Sequence, residues 1–249
     1  MCGRYAVITN AEALRALFRY FNNPDFPPRH NIAPTQPVPI VRMFEGRREF
    51  ALVRWGLIPG WVKDPRSFSL LFNARGESVV EKPAFRNAMK RRRCLFPADG
   101  FYEWKQEGKT RRPYFVRQKG GGPMAFAGLW ESWMGPNGEE METAAIITTS
   151  ASPSIRHIHE RMPVIVSPEA FDFWLDPNVD AQMASSVIAP APDAQLEFFE
   201  VSSAVNRAAH DAPELMEPLR EGAVAEEAKP AKKPKVAKPK KDGGQASLF

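Results

Sequence analysis

Proline occurs 24 times in 249 residues, close to one position in ten. Proline has no amide hydrogen for a sheet ladder, and inside a helix it removes a hydrogen bond and clashes with the preceding turn. A helical bundle or a coiled coil is therefore excluded, and short elements are expected. Apolar residues at 43% still provide enough surface for a sizeable core. No stretch approaches the roughly 18–20 apolar residues of a membrane helix. The opening MCGRYAVITNAEAL lacks a basic head followed by an apolar run, so no secretory signal and no membrane association are expected. Two cysteines, Cys2 and Cys94, with no CxxC pair, fit a reducing cytoplasm and no structural zinc.

Charge divides the chain. The formal net charge is +5, and residues 221–249 hold seven lysines against four acids. The first 220 residues are nearly neutral, so nucleic-acid binding by the body would need a local patch. The Lys-Pro run EEAKPAKKPKVAKPKKDGG has no aromatic residue and no apolar period. It is expected to be a disordered, semi-stiff spacer after a single domain spanning 1–220.

Within that domain residues 11–21 read as a helix burying Leu14, Leu17, Phe18 and Phe21, with Thr9 and Glu12 as a capping box. Further helices are expected over 83–91 and from Ser167 and Pro168 onward, the latter burying Phe171, Trp174 and Leu175. Strands are expected at 38–43, 50–55, 95–104, 113–117, 124–130, 143–149 and 163–166. Strands outnumber helices without alternating with them. The fold class is therefore α+β, with a mostly antiparallel, barrel-like β core and short flanking helices.

Phosphate-loop, dinucleotide, zinc-protease and nucleophile-elbow motifs are all absent. The amino end offers other chemistry. Removal of Met1 would leave Cys2 with a free α-amine and a thiol on one residue. An α-amine titrates at about 7.7–8.0 against about 10.4 for lysine, so near pH 7.5 roughly a third is free base. Such an amine attacks an aldehyde to give an imine, and the thiol can then close a five-membered thiazolidine with an intramolecular advantage. Alternatively the thiolate attacks an amide with the amine as base, which makes an N-terminal-cysteine hydrolase. The plain alternative is a small residue beside a start codon.

Four segments narrow the choice: Met1-Cys2-Gly3-Arg4-Tyr5, Phe72-Asn73-Ala74-Arg75-Gly76-Glu77, Pro97-Ala98-Asp99-Gly100-Phe101-Tyr102-Glu103-Trp104 and Ile158-His159-Glu160-Arg161-Met162-Pro163. With Asn31-Ile32-Ala33-Pro34-Thr35 and Trp55-Gly56-Leu57-Ile58-Pro59, and in this order over roughly residues 1–215, they resemble the SRAP family, named for SOS response-associated peptidase. The resemblance implies binding of single-stranded DNA at an abasic site and a thiazolidine crosslink between Cys2 and the ring-opened sugar. An older proposal of autoproteolysis, which would expose Cys2, and a lyase activity belong to the same picture. It implies a monomer that needs no cofactor and no metal.

The resemblance places Cys2, Asn73, Glu103 and His159 in the catalytic site. Glu103 stands among Phe101, Tyr102 and Trp104, where apolar surroundings would raise its pKa into the range of a general acid; otherwise it is a solvent-facing strand residue. Asn73 could hold the sugar or the amine, or merely form a turn. His159 could donate to a phosphate or to the sugar oxygen, whereas His30, His157 and His210 are expected to be structural. Arg4, Arg75 and Arg161 are expected to fork onto phosphates unless internal ion pairs take them. Trp55 and Trp61 could stack on bases or serve the core. Lys90-Arg91-Arg92-Arg93 reads as a solvated helix end, and Cys94 as a buried hydrophobe. Finally, Gln245-Ala246-Ser247-Leu248-Phe249 resembles the short peptide by which bacterial proteins dock on the replication sliding clamp, with Gln245, Leu248 and Phe249 as anchors on a flexible tether.

Overall fold

The computed structural model describes residues 2–219. The expected tail and its clamp-binding peptide lie outside the described residues. Thirteen strands are seen among them: β1 (Tyr5–Val7), β2 (Arg29–Ile32), β3 (Pro37–Phe44), β4 (Arg47–Trp55), β5 (Asn73–Arg75), β6 (Arg93–Ala98), β7 (Gly100–Glu107), β8 (Thr110–Gln118), β9 (Met124–Met134), β10 (Glu140–Ser150), β11 (Arg161–Pro163), β12 (Ile165–Val166) and β13 (Leu196–Glu200). Four short helices accompany them: α1 (Ala11–Phe18), α2 (Arg86–Arg91), α3 (Phe171–Leu175) and α4 (Ala181–Ala184). None of these helices is long and apolar enough to cross a membrane.

The expected α+β class and mostly antiparallel barrel are borne out. Strands β4, β3, β6, β9 and β10 pair in a ring that closes where β9 meets β10 and β10 meets β4. Closure removes the exposed edges that an open sheet of this composition would present. A second sheet, in the order β13-β8-β7-β1-β2, is antiparallel throughout. The β3–β4 hairpin turns on Glu45-Gly46 with φ of 48° and 77°. Both central residues are left-handed, as a two-residue turn of this twist requires. Inside the barrel, a Cβ on Gly128 would stand 2.3 Å from Phe96, so only glycine lets the two strands approach there.

Two expected boundaries move. The capping residue of α1 is Asn10, whose side chain accepts from the Ala13 amide at 2.9 Å. Thr9 is diverted to Asp99. The helix stops at Phe18 because Arg19 turns left-handed, φ 55°, which leaves Phe21 half exposed under the Arg47 guanidinium instead of buried. The expected strand 95–104 is cut in two at Asp99, where the chain leaves the barrel as β6 and enters the second sheet as β7.

That break ties the two sheets to the amino end. Asp99 is buried, and its carboxylate accepts from the amides of Ile8 (2.6 Å) and Thr9 (2.9 Å) and from the Thr9 hydroxyl. Its own amide donates to the Ala6 carbonyl at 2.8 Å. Asp99→Asn would replace one acceptor oxygen with an amine facing these donors. It is expected to cost about 1–3 kcal/mol of stability and to accelerate amide exchange at Ile8 and Thr9. Unchanged protection of those two amides would refute the pinning role.

Candidate functional site

The amino end is placed by register. Tyr5 pairs with Phe101 and Ala6 with Gly100 across β1 and β7, and the Tyr102 amide donates to the Arg4 carbonyl at 2.9 Å. Carrying that register toward the amino end sets Gly3 opposite Glu103. Cys2 is fully buried. From a different direction Asn73, at the start of β5, donates through Nδ2 to the Cys2 carbonyl at 2.8 Å. Its Oδ1 is buried and accepts no hydrogen bond among the described residues. Glu103 is 4% exposed, and its Oε2 lies 4.0 Å from His159 Nε2.

Strand β10 makes this convergence possible. Ile146 faces Asn73 on one side and Gly128 on the other; Thr148 faces Arg75 on one side and Pro163 on the other. Thus β5 continues the edge begun by β4, and β11 continues the edge begun by β9. The last third of β10 then carries the Asn73 and Arg161 segments on opposite flanks. The spacing between them is fixed at two interstrand steps, roughly 10 Å.

Burial sets the electrostatics. It pushes the Glu103 carboxyl above the usual range, and the positive charges of the amino terminus and His159 offset this in part. Burial also pushes the Cys2 thiol far above its ordinary value, with the negative charge of Glu103 adding to the effect. The thiol is therefore protonated at neutral pH, and a thiolate is disfavoured. His159 Nδ1 sits 3.0 Å from the Arg161 amide and 3.2 Å from the Arg161 carbonyl oxygen. A neutral ring accepts from the first; a protonated ring donates to the second. The same backbone holds the imidazole in either state, with Nε2 toward Glu103. Among the described residues no group of His, Cys, Asp and Glu has a metal-holding arrangement.

The other expected residues separate into two sets. Trp55 is fully buried, packs its edge against Tyr5 (centroids 5.2 Å apart) and donates from Nε1 to the Phe72 carbonyl at 2.8 Å. It cannot stack on a base; it sets the approach of the chain to Asn73. Arg4 also turns inward, donating to Asn31 Oδ1 (2.9 Å) and to the carbonyls of Val205 (2.6 Å) and Asn206 (3.3 Å). Arg161 is bidentate on Glu77 and donates to the Thr148 carbonyl at 2.7 Å. Arg161 thus has the internal ion pair named as its alternative, whereas Arg4 has internal hydrogen-bond acceptors that carry no charge. Arg75 is exposed, and Trp61, 60% exposed, leans edge-on against Phe68. The basic run after α2 is also only partly solvated. Arg92 pairs with Glu131 at 2.6 Å, and buried Arg93 caps the Met89 and Trp174 carbonyls at 2.7 and 2.6 Å. Cys94 is buried as expected, and His157 packs edge-on against Phe198.

Three contributors carried no role in the sequence reading. Asp99 and Glu77 lie inside motifs quoted for other residues, and an acid in an apolar run was the available signal that each needs a partner. Thr148 had no such signal, because its place opposite Arg75 arises from a parallel pairing between distant strands. Two surface concavities, of about 360 and 790 Å³, are lined by none of Cys2, Asn73, Glu103 and His159. Of the four side chains, Glu103 and Cys2 are buried and the His159 ring is partly exposed.

Comparison with known proteins agrees over nearly the whole described chain. The model of the SOS response associated peptidase (SRAP) family matches residues 1–208. The chain is 36% identical over 222 residues to the abasic site processing protein YoqW of Bacillus subtilis (strain 168), spanning 87% of this chain and 99% of that protein. It is 30% identical over 227 residues to the abasic site processing protein YedK of Escherichia coli (strain K12), spanning 88% and 100%. The crystal structure of a Bacteroides thetaiotaomicron protein superposes with a TM-score of 0.78 at 25% identity, covering 88% of this chain and 100% of that one. With the family model matched from the first residue through the strands that build the cleft, the chain belongs to the SRAP family.

Proposed function

We propose that this chain processes abasic sites in DNA, capturing the ring-opened sugar of a single strand on Cys2 once Met1 has been removed. The observation that carries the reading is the meeting of Cys2 and Asn73 with a Glu103 whose carboxyl burial raises above its ordinary range, beside His159. The names of the relatives supply the lesion.

The chemistry follows from the proton inventory. The free α-amine adds to the aldehyde carbon and gives a carbinolamine. Expelling water needs a proton, and a carboxyl whose pKa is raised by burial holds one closer to neutrality than an ordinary glutamate. The thiol then adds its sulfur to the imine carbon, and its proton passes to the imine nitrogen. One water is lost overall, and a thiazolidine links protein and sugar. The thiol enters as a neutral group, so the raised Cys2 pKa suits this order of events. It disfavours the hydrolase alternative, in which a thiolate must attack first. Asn73 Oδ1, lacking an internal donor among the described residues, is free to accept from the amine or from a sugar hydroxyl.

Mixed with an abasic single-stranded oligonucleotide, the protein is expected to give a heat-stable band retarded in a denaturing gel, and Cys2→Ala to abolish it. Equally efficient and stable crosslinking by Cys2→Ala would sink the reading; peptide turnover without affinity for abasic DNA would favour the hydrolase.

Glu103→Gln is expected to slow crosslinking on the order of a hundredfold, the scale of a general acid, with DNA binding kept. The parent rate should fall as pH rises through the raised Glu103 pKa, because the proton donor is lost there. That limb should be missing in Glu103→Gln, and a parallel profile would remove the acid role.

The peptide Gln245–Phe249 is proposed as a clamp anchor on sequence grounds. Deleting it is expected to end capture by the sliding clamp while leaving crosslinking intact; persistent capture would refute the assignment.

A further inference from the structure

The larger of the two concavities, about 790 Å³, is an apolar groove. Val166 of β12, Met124 at the start of β9 and Phe171 at the start of α3 wall one part of it, and Val187 and Leu196, on the segment that leads into β13, wall another. Both sheets therefore contribute to it. Among the described residues that line it, Glu169 is the only charged one. Glu169 is exposed, and hydrogen bonds from its own amide and from Ser167 hold its carboxyl below the usual range, so it stays an anion. A second exposed carboxylate, Asp193, stands between the lining residues Pro192 and Gln195.

An apolar hollow with carboxylates at its rim suits an apolar group that follows a cation. The chain supplies that chemistry itself. Seven lysines lie between Lys229 and Lys241, and Leu248 and Phe249 follow them. No cation lines the groove to repel those lysines.

The distances permit the contact. The Leu219 amide donates to the Glu200 carbonyl at 2.8 Å, so the last described residue sits at one end of β13. Leu196, at the other end, lines the groove. Four strand residues separate the two points, roughly 14 Å. Residues 220–244 join Leu219 to Gln245. A coil of that length spans roughly 25–30 Å on average, and a fully extended one roughly 80 Å, so the groove is within reach in either regime. A tether of this kind holds its far segment at about millimolar effective concentration. Burial of one leucine and one phenylalanine reaches the scale of a dissociation constant of about 1 mM. About half-occupancy of the groove then needs no exceptional fit.

We propose that Leu248 and Phe249 dock in this groove of their own chain, so that the segment read above as a clamp anchor is partly withheld. The docking stands on the groove and the tether; its regulatory consequence rests on the clamp reading. Hydrogen exchange of the full chain is followed by mass spectrometry over residues 119–125 and 187–195. In the parent these segments are expected to exchange about twofold more slowly than in the full-length double variant Leu248→Ala, Phe249→Ala, because half-occupancy halves the accessible population. Exchange at the Glu45-Gly46 turn should be equal in both. Ala189→Arg places a bulky cation on an exposed lining residue, which fills the groove and repels the lysines. It should speed exchange over 119–125 to the level of the double variant and strengthen binding of the full chain to the sliding clamp about twofold. Equal exchange in the parent and the double variant would overturn the docking. So would a difference that grows with protein concentration, since the occupant would then be a second copy. Unchanged clamp affinity in Ala189→Arg would overturn the withholding. If neither parent nor Ala189→Arg binds the clamp while the exchange difference holds, the clamp reading fails and the docking stands. Crosslinking should be the same in all three proteins, because Cys2, Asn73, Glu103 and His159 do not line the groove; its loss in either variant would overturn the separation of groove from site.

Discussion

The placement of the amino end depends on a strand of three residues. A segment as short as Tyr5–Val7 has no stability of its own. It is held because β2 and β7 pair with it from both sides, and because the Tyr5 ring enters the barrel among Trp55, Phe96 and Phe126. Burying such a ring stabilises by about 1.5–3 kcal/mol, and edge-to-face contacts add about 0.5–1.5 kcal/mol per pair. Asp99 fixes the exit of the strand and Asn73 its entrance. These restraints come from four different parts of the chain, and together they leave Cys2 one position, against Glu103.

Burial then does the chemical work that pairing does elsewhere in the molecule. Arg4 and Arg161 lie next to the site in sequence, yet both have internal partners, Arg161 an ion pair with Glu77 and Arg4 hydrogen bonds to carbonyls of the C-terminal segment. Their job is architectural: Arg161 straps β11 to β10 through Thr148, and Arg4 straps β1 to residues 205–206. Glu103 lies 4.0 Å from the partly exposed His159 imidazole, and this ring and the amino terminus offset part of the effect of burial. Desolvation is the largest influence on both groups, raising the Glu103 carboxyl and the Cys2 thiol above their ordinary values. Burial therefore shifts both acids of the site toward their protonated forms, while the amino terminus and His159 act on Glu103 in the opposite sense.

The barrel-like α+β class was legible because alternating apolar runs at β3, β4, β8, β9 and β10 are long enough to show their period. β1, β2, β5 and β13 were not legible. Each has five residues or fewer and owes its extended form to partners distant in sequence, such as Arg75 to Thr148. Cys2, Asn73, Glu103 and His159 were singled out through motif resemblance, and the raised Glu103 pKa was legible through its apolar neighbours. The functions of individual cations were not. Whether an arginine faces solvent or a carbonyl 200 residues away, as Arg4 does with Val205, is decided by tertiary closure. Trp55 was ambiguous for the same reason: the sequence around it signals a turn, and only the packing of Tyr5 shows which way the indole points.

The sheet order also has a temporal side. β1 is emitted first by the ribosome, but its central neighbour β7 spans Gly100–Glu107 and follows about a hundred residues later. At roughly 5–20 residues per second, translation leaves an interval on the order of 5–20 s before the strand can be enclosed. The β1–β2 pair available in the meantime is too small to close over anything. During that interval the second residue remains in water. Completion of the sheet encloses Cys2, so the topology sets a deadline for any chemistry that needs this residue in water.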